Sequence, residues 1–424
     1  GIPEEEVTRR TIMRYYKRKN PMLIREMIRN VYKECKGVPK SNCLTKEQRL
    51  SLQMDEFMNR RYEFRYNTQI GEVEYRERFS FQFYFHPIDK RAQNSIMLDA
   101  QSEGIGVWDR DIDRYLHSNR VPIYNPLEEF LFHLPHWDGK DRIHALANRV
   151  PCKNPHWELL FHRWFLNMVS HWRGVDKMHA NNTSPILVGR QGTHKSTFCR
   201  EMIPPALRAY YTDSIDFSHK RDAELYLNRF ALINIDEFDQ ITLPQQGFLK
   251  HILQKPVVNL RKPHGRSVLE LQRYASFIGT SNQKDLLTDP SGSRRFICIE
   301  VTGNIDTTQP IDYEQLYAQA MYEIHHGERY WFDSEDEQIM TENNREFEQT
   351  PAMLQLFYQY FKTAQTKEEG EFLTPVEILN YLKKKSGMSL SDNKVYHFGR
   401  LLQKCGIPSK HTYKGTVYQV IKLS

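Results

Sequence analysis

Residues 184–198, SPILVGRQGTHKSTF, set an apolar run before a glycine-containing loop, with Lys195-Ser196-Thr197 opening a helical pattern. Strand, loop and helix in that order can cradle phosphate, because N–H groups of the loop and helix N-terminus point at anionic oxygens. Gly189, Arg190, Gln191, Gly192, Thr193, His194, Lys195, Ser196 and Thr197 would line this cradle. Lys195 would reach the β- and γ-phosphates of ATP, and the Ser196 hydroxyl would ligate Mg2+. The usual pattern GxxxxGK[ST] has Gly where this chain has His194, so a Cβ stands where backbone must approach phosphate closely. Alone, the segment reads equally as a structural turn.

Two downstream segments add the remaining parts of a phosphoryl-transfer site. In FALINIDEFD, residues 230–239, an apolar run ends in Asp236-Glu237. Asp236 would hold hydrated Mg2+ and Glu237 would polarise an attacking water. YASFIGTSN, residues 274–282, ends in Asn282, which could orient that water by hydrogen bonding. Next comes SGSRRF, where Arg294 and Arg295 could stabilise charge on the transferred group through the planar guanidinium fork. Between the acidic pair and Asn282, residues 257–274 read as a β-hairpin with a cationic tip of Arg261, Lys262, His264 and Arg266. In a ring of subunits such tips would line a channel for a DNA backbone; alone, they are a solvated basic turn.

The elements that must position these residues follow from periodicity. Residues 180–300 alternate short apolar runs with helical patterns, as a layered α/β domain does. Before them, residues 1–60 read as helices and 62–76 as a hairpin about Gly71. Residues 156–172 read as a helix whose Trp and Phe stripe is a core face. Residues 301–370 carry fourteen Asp and Glu against four Lys and Arg, and 333–337 read as a solvated helix start. Residues 371–424 reverse that balance, with nine Lys and Arg against three Asp and Glu. Their order of helix, helix and hairpin outlines a winged helix, in which Lys394, His397, Arg400 and Lys404 face a DNA groove and Lys410 and Lys414 sit on the wing. The expected domains are 1–150 (mixed α+β), 151–305 (P-loop ATPase), 306–370 (acidic and helical) and 371–424 (basic, winged-helix-like).

Composition excludes several classes. The net charge of +6 is only mildly basic over 424 residues, and no run approaches the ~20 apolar residues of a membrane span. The polar N-terminus lacks the apolar core of a secretory signal. It also lacks an initiator Met, which leaves open whether Gly1 is a cloning remnant and whether the native protein extends before it. Six scattered cysteines without a CxxC pair fit a reducing bacterial cytoplasm. His133, His136 and His144 match no metal-ligand spacing and are read as surface or packing residues.

Taken in order, YNPLEEFLFHLPHWDGKDRI, GRQGTHKSTF, INIDEFD, RKPHGRS, IGTSN and SRRF resemble the virulence-associated E (VapE-like) proteins of phages and integrated mobile elements. Their P-loop domain is similar to superfamily 3 helicases. The resemblance covers residues 62–331, and the tail resembles the winged-helix tails of related Bacteroidetes-type proteins. It implies an α/β fold: a P-loop NTPase core of the AAA+/superfamily 3 helicase type, a mixed helical N-terminal domain and a winged-helix-like tail. It further implies an ATP-dependent DNA helicase or translocase in mobile-element replication, a homo-oligomeric ring expected as a hexamer, and a primase-like partner or upstream domain. By that resemblance Lys195 and Ser196 serve nucleotide and Mg2+, Asp236 and Glu237 form the acidic pair, Asn282 is the sensor, and Arg294 or Arg295 is a finger acting on a neighbouring subunit. The competing readings are a DNA-binding or assembly module with a degenerate nucleotide site, and a small-molecule P-loop kinase.

Overall fold

The computed structural model describes residues 26–31, 44–81, 83–174, 176, 178–260, 269–287, 290–349, 352–364, 370–387, 395–413 and 415–423. The chain forms two compact units, one of residues up to Asn67 with Gly71–Tyr124, the other of Thr68–Ile70 with the chain from Asn125 onward.

In the first unit, Thr45 and Gln48 cap helix α1 (Lys46–Arg61) reciprocally, each side chain accepting the other's backbone N–H. The predicted hairpin follows as antiparallel β1 (Tyr62–Asn67) and β2 (Glu72–Glu77). After it come β3 (His86–Pro87), α2 (Lys90–Ser102), α3 (Asp109–Leu116) and β4 (Ile123–Tyr124), giving a sheet of order β3-β2-β1-β4. Phe57, Tyr62, Phe64, Ile96 and Ile112 build its core.

The second unit starts with α4 (Pro126–Phe132), α5 (Ile143–Ala147) and α6 (Trp157–Arg173). Asn125 caps α4 and Pro126 occupies its first turn, where a missing N–H costs nothing. Leu127, Leu131, Ile143 and Leu146 join the same core as α6, so the sequence-based boundary at 150 falls inside this unit. Trp157, Trp164 and Trp172 on α6 are each at most 2% exposed, so the aromatic stripe is a core face.

A parallel sheet carries the site. Its strands are β5 (Ser184–Val188), β6 (Tyr211–Thr212), β7 (Leu232–Ile235), β10 (Ser276–Ser281) and β11 (Phe296–Glu300), ordered β11-β5-β10-β7-β6. Every neighbouring pair is parallel. Ile186 and Val188 enter one core and Leu187 the other, and β11 divides Phe296 and Cys298 from Ile297 and Ile299 in the same way. A parallel strand covered on both faces needs such an uninterrupted apolar run. Helices α7 (Lys195–Glu201), α8 (Lys220–Arg229) and α9 (Leu243–Leu253) connect the strands, and β8 (Val257–Leu260) with β9 (Leu269–Gln272) forms the predicted antiparallel hairpin.

Beyond β11 lie α10 (Tyr313–His325), α11 (Ser334–Asn344), α12 (Ala352–Tyr360), β12 (Phe361–Thr363), β13 (Glu371–Leu373), α13 (Pro375–Ser386), α14 (Val395–Lys404), β14 (Ser409–Thr412) and β15 (Gly415–Lys422). The start of α11 is not wholly solvated. Asp333 caps the helix, but Asp336 is 2% exposed, accepts a hydrogen bond from Arg163 and forms an ion pair with Arg329, because its position in the first turn faces inward. In the C-terminal part β15 pairs with β12, β13 and β14, all antiparallel. No helix among the described residues is long and apolar enough to cross a membrane.

Candidate functional site

Because all five strands run the same way, the loops after β5, β7 and β10 meet at one edge of the sheet. Ligands of open parallel sheets bind in the crevice outside that carboxyl edge. Gly189 leaves β5 so close to β11 that a Cβ on it would lie 3.0 Å from the Val301 carbonyl oxygen. Gly192 adopts φ +83°, and His194 follows at φ 64°, ψ 22°. His194 thus takes the left-handed conformation that the usual Gly adopts freely, and its exposed side chain stays outside the core. Its steric cost is about 1–2 kcal/mol, partly offset because Gly would lose about 0.5–1 kcal/mol more entropy on folding. His194→Gly is therefore expected to change folding stability by no more than about 1.5 kcal/mol, read from denaturant unfolding. A larger gain would mark the Cβ as an obstruction within the loop.

Lys195 is 6% exposed, and its Nζ donates to the Gly189 oxygen (2.7 Å), the Arg190 oxygen (2.8 Å), Asn282 Oδ1 (3.3 Å) and Thr193 Oγ1 (3.4 Å). Burial lowers the Lys195 pKa below its ordinary value, against the opposing pull of the Asp236 and Asp239 carboxylates. Ser196 Oγ donates to Asp236 Oδ1 at 3.0 Å, and Thr280 Oγ1 donates to the same oxygen. Lys195, Ser196, Asp236 and Asn282 are therefore brought together from three loops. Ser196 and Asp236 are both exposed and offer hard oxygen donors, a pair that suits Mg2+, which keeps most of its waters and takes few protein ligands. Glu237 is exposed beside Asp236, in a left-handed conformation at φ 52°.

Two residues overlooked in the sequence hold this edge in register. Asp239 Oδ1 accepts the Ser281 hydroxyl at 2.8 Å and the Asn282 N–H at 3.4 Å, tying the turn after β7 to the end of β10. Thr280 does the same for Asp236. Their only signal in the sequence is a polar run, TSN, at a strand end and a second carboxylate three residues past Asp236.

A cleft of about 550 Å3 adjoins the loop, between Gly189, Arg190, Thr193 and Asn282 on one side and residues 300–304 on the other. The loop is pinned to that far wall by a hydrogen bond from Ile305 N–H to the Thr193 oxygen at 3.1 Å. Lys284 also lines the cleft and pairs with Glu300 at 2.8 Å.

Arg294 and Arg295 are not brought to this edge. They precede β11, whose first residue, Phe296, lies opposite Ser184 at the start of β5. Lys195 lies past the other end of β5, a separation on the order of 15 Å along the strands. Arg294 is exposed and pairs with Glu337 at 3.0 Å. Arg261, Lys262, His264, Arg266, Lys394 and Lys414 lie outside the described residues, as does the expected cap of α14 at Ser391 or Asp392. On α14 Arg400 stacks over the Tyr396 ring at 4.8 Å, and Lys410 on β14 lies 3.4 Å over the Phe372 ring.

Residues 131–349 match the virulence-associated protein E-like domain, and residues 350–420 match DUF3874, a domain of unknown function described from a B. Theta gene. Among solved structures, the apo C-terminal region of NrS-1 (305–718) is 12% identical with a TM-score of 0.46, covering 88% of this chain and 99% of that one. A-form apo structures of that region give 11% identity, the same coverage, and TM-scores of 0.44 and 0.43. No curated protein matches the chain.

Proposed function

Because this chain belongs to the virulence-associated protein E-like domain family, whose match spans residues 131–349, we propose that it hydrolyses ATP and couples hydrolysis to movement on DNA during replication of a phage or mobile element. The observation that carries the reading is the convergence of Lys195, Ser196, Asp236 and Asn282 at the carboxyl edge of a parallel sheet, beside a cleft large enough for a base and ribose. In this reading phosphates occupy the loop, and Lys195 exchanges its contacts with the Gly189 and Arg190 carbonyls for phosphate oxygens. Asn282 then releases Lys195 and orients the attacking water, while Glu237 polarises that water. Ser196 and Asp236 would hold Mg2+, which neutralises phosphate charge when bound.

A site of this kind also needs positive charge on the transferred phosphoryl group. Within one chain Arg294 and Arg295 sit at the opposite edge, so the reading assigns that charge to the arginine of an adjacent copy in a ring. The β8–β9 hairpin would then present its cationic tip to DNA. The basic C-terminal part, in which a strand, two helices and a hairpin succeed one another as in a winged helix, would add a second DNA contact.

The test is ATP turnover with Mg2+, with and without single-stranded DNA, at concentrations that permit assembly. Turnover that rises severalfold with DNA is expected. Absence of hydrolysis under all conditions would end the motor reading, and calorimetry detecting DNA but no nucleotide would leave a DNA-binding or assembly module in its place.

A further inference from the structure

We propose that the aromatic segment between β2 and β3 docks on the β4 edge of a second copy of this chain. Phe79, Phe81, Phe83 and Tyr84 are 88%, 96%, 73% and 80% exposed, four large rings within six residues. Phe85 marks the contrast, since its ring is held by the Arg65 guanidinium at 4.0 Å and that of Arg76 at 4.7 Å. At roughly 150–250 Å2 per aromatic side chain, the four rings offer on the order of 600 Å2, close to the ~800 Å2 each partner contributes to a stable interface. A patch of that size on a folded unit marks an interaction surface.

The charge around it selects the occupant. Residues 79–85, FSFQFYF, carry no charge, and residues 44–124 hold twelve Lys and Arg against thirteen Asp and Glu. The neighbouring cations are engaged: Arg76 and Arg78 share Glu63, at 2.5 and 2.8 Å, and Arg65 pairs with Glu74 at 2.6 Å. Nucleic acid binds through cations free to displace counterions, and the segment itself carries none. An uncharged segment of high β-propensity without Pro instead adds to an open sheet edge. The same unit supplies one at β4, the last strand in the order β3-β2-β1-β4, where Ile123 is 79% exposed. Segment and edge are different surfaces, so the contact is head-to-tail and can close a ring.

The choice of a second copy rests on the reading above, in which one chain's site is completed by an arginine of its neighbour. Sedimentation velocity separates the two ideas, since it reads mass and not hydrolysis. The full chain is expected to associate with rising concentration, equally at low and high salt. Replacing Phe79, Phe81, Phe83 and Tyr84 by Ser, or Ile123→Lys alone, should weaken association at least tenfold without changing the melting temperature, because these side chains pack against little. A monomeric wild type overturns the proposal, as does either variant assembling like wild type. Loss of single-stranded DNA affinity at unchanged mass would overturn it in favour of nucleic acid. A chain that assembles through this edge but hydrolyses nothing refutes the ATPase reading alone.

Discussion

Lys195→Ala is expected to lower the ATP turnover number by roughly 10²–10³-fold, the loss typical of removing one donor aimed at transition-state charge. The ammonium is nearly buried and ringed by four oxygens, so it is held in place before any phosphate arrives. Burial raises the cost of keeping it charged, and that cost is recovered when phosphate oxygens replace neutral carbonyls as its partners. Two effects must be separated, because the substitution also leaves the Gly189 and Arg190 carbonyls without this donor. Each bond is worth only about 1 kcal/mol net to folding, so a melting curve close to wild type beside lost turnover assigns the effect to chemistry. Turnover within threefold of wild type would remove Lys195 from the site and the loop from nucleotide binding.

What the sequence disclosed and what it hid divide along physical lines. The runs at β5, β7 and β10 were legible because a strand covered on both faces must be apolar throughout, and because a chemical residue at its end has nowhere to go but the sheet edge. Lys195, Asp236 and Asn282 each follow such a run. Asp239 and Thr280 were not legible, since they act across strands on partners more than forty residues away and leave no periodic trace. Asp336 misled for a related reason: an acidic run resembles a solvated helix start until Arg163 reaches it from α6, far away in the chain. The expected boundary at 150 lies past α4 and α5, because these helices bury their Leu and Ile side chains in the same core as α6. The exposed rings at 79–84 were invisible in principle, because an alternating aromatic run reads as a half-buried strand until the structure leaves it uncovered.

Arg294→Ala and Arg295→Ala supply the sharpest test of how the site is completed. If either arginine acts within its own chain, it must cross the length of β5 to reach Lys195, which exceeds the reach of its side chain. If it acts on a neighbour, the inactivating variant keeps an intact nucleotide loop, and Lys195→Ala keeps an intact arginine. Mixed in equal amounts, the two inactive proteins form some junctions in which one copy gives Lys195 and the next gives the arginine, about a quarter of all junctions for random assembly in a head-to-tail ring. ATP turnover of the mixture should therefore recover to roughly a quarter of wild type, where either variant alone falls about 10²–10³-fold. Arg294 already holds Glu337, an exposed pair worth at most about 1 kcal/mol. Its substitution therefore costs little stability, and lost turnover in that variant reports on the phosphoryl group. Full activity in both single variants would exclude these arginines, and a mixture no more active than its components would place the missing charge within one chain.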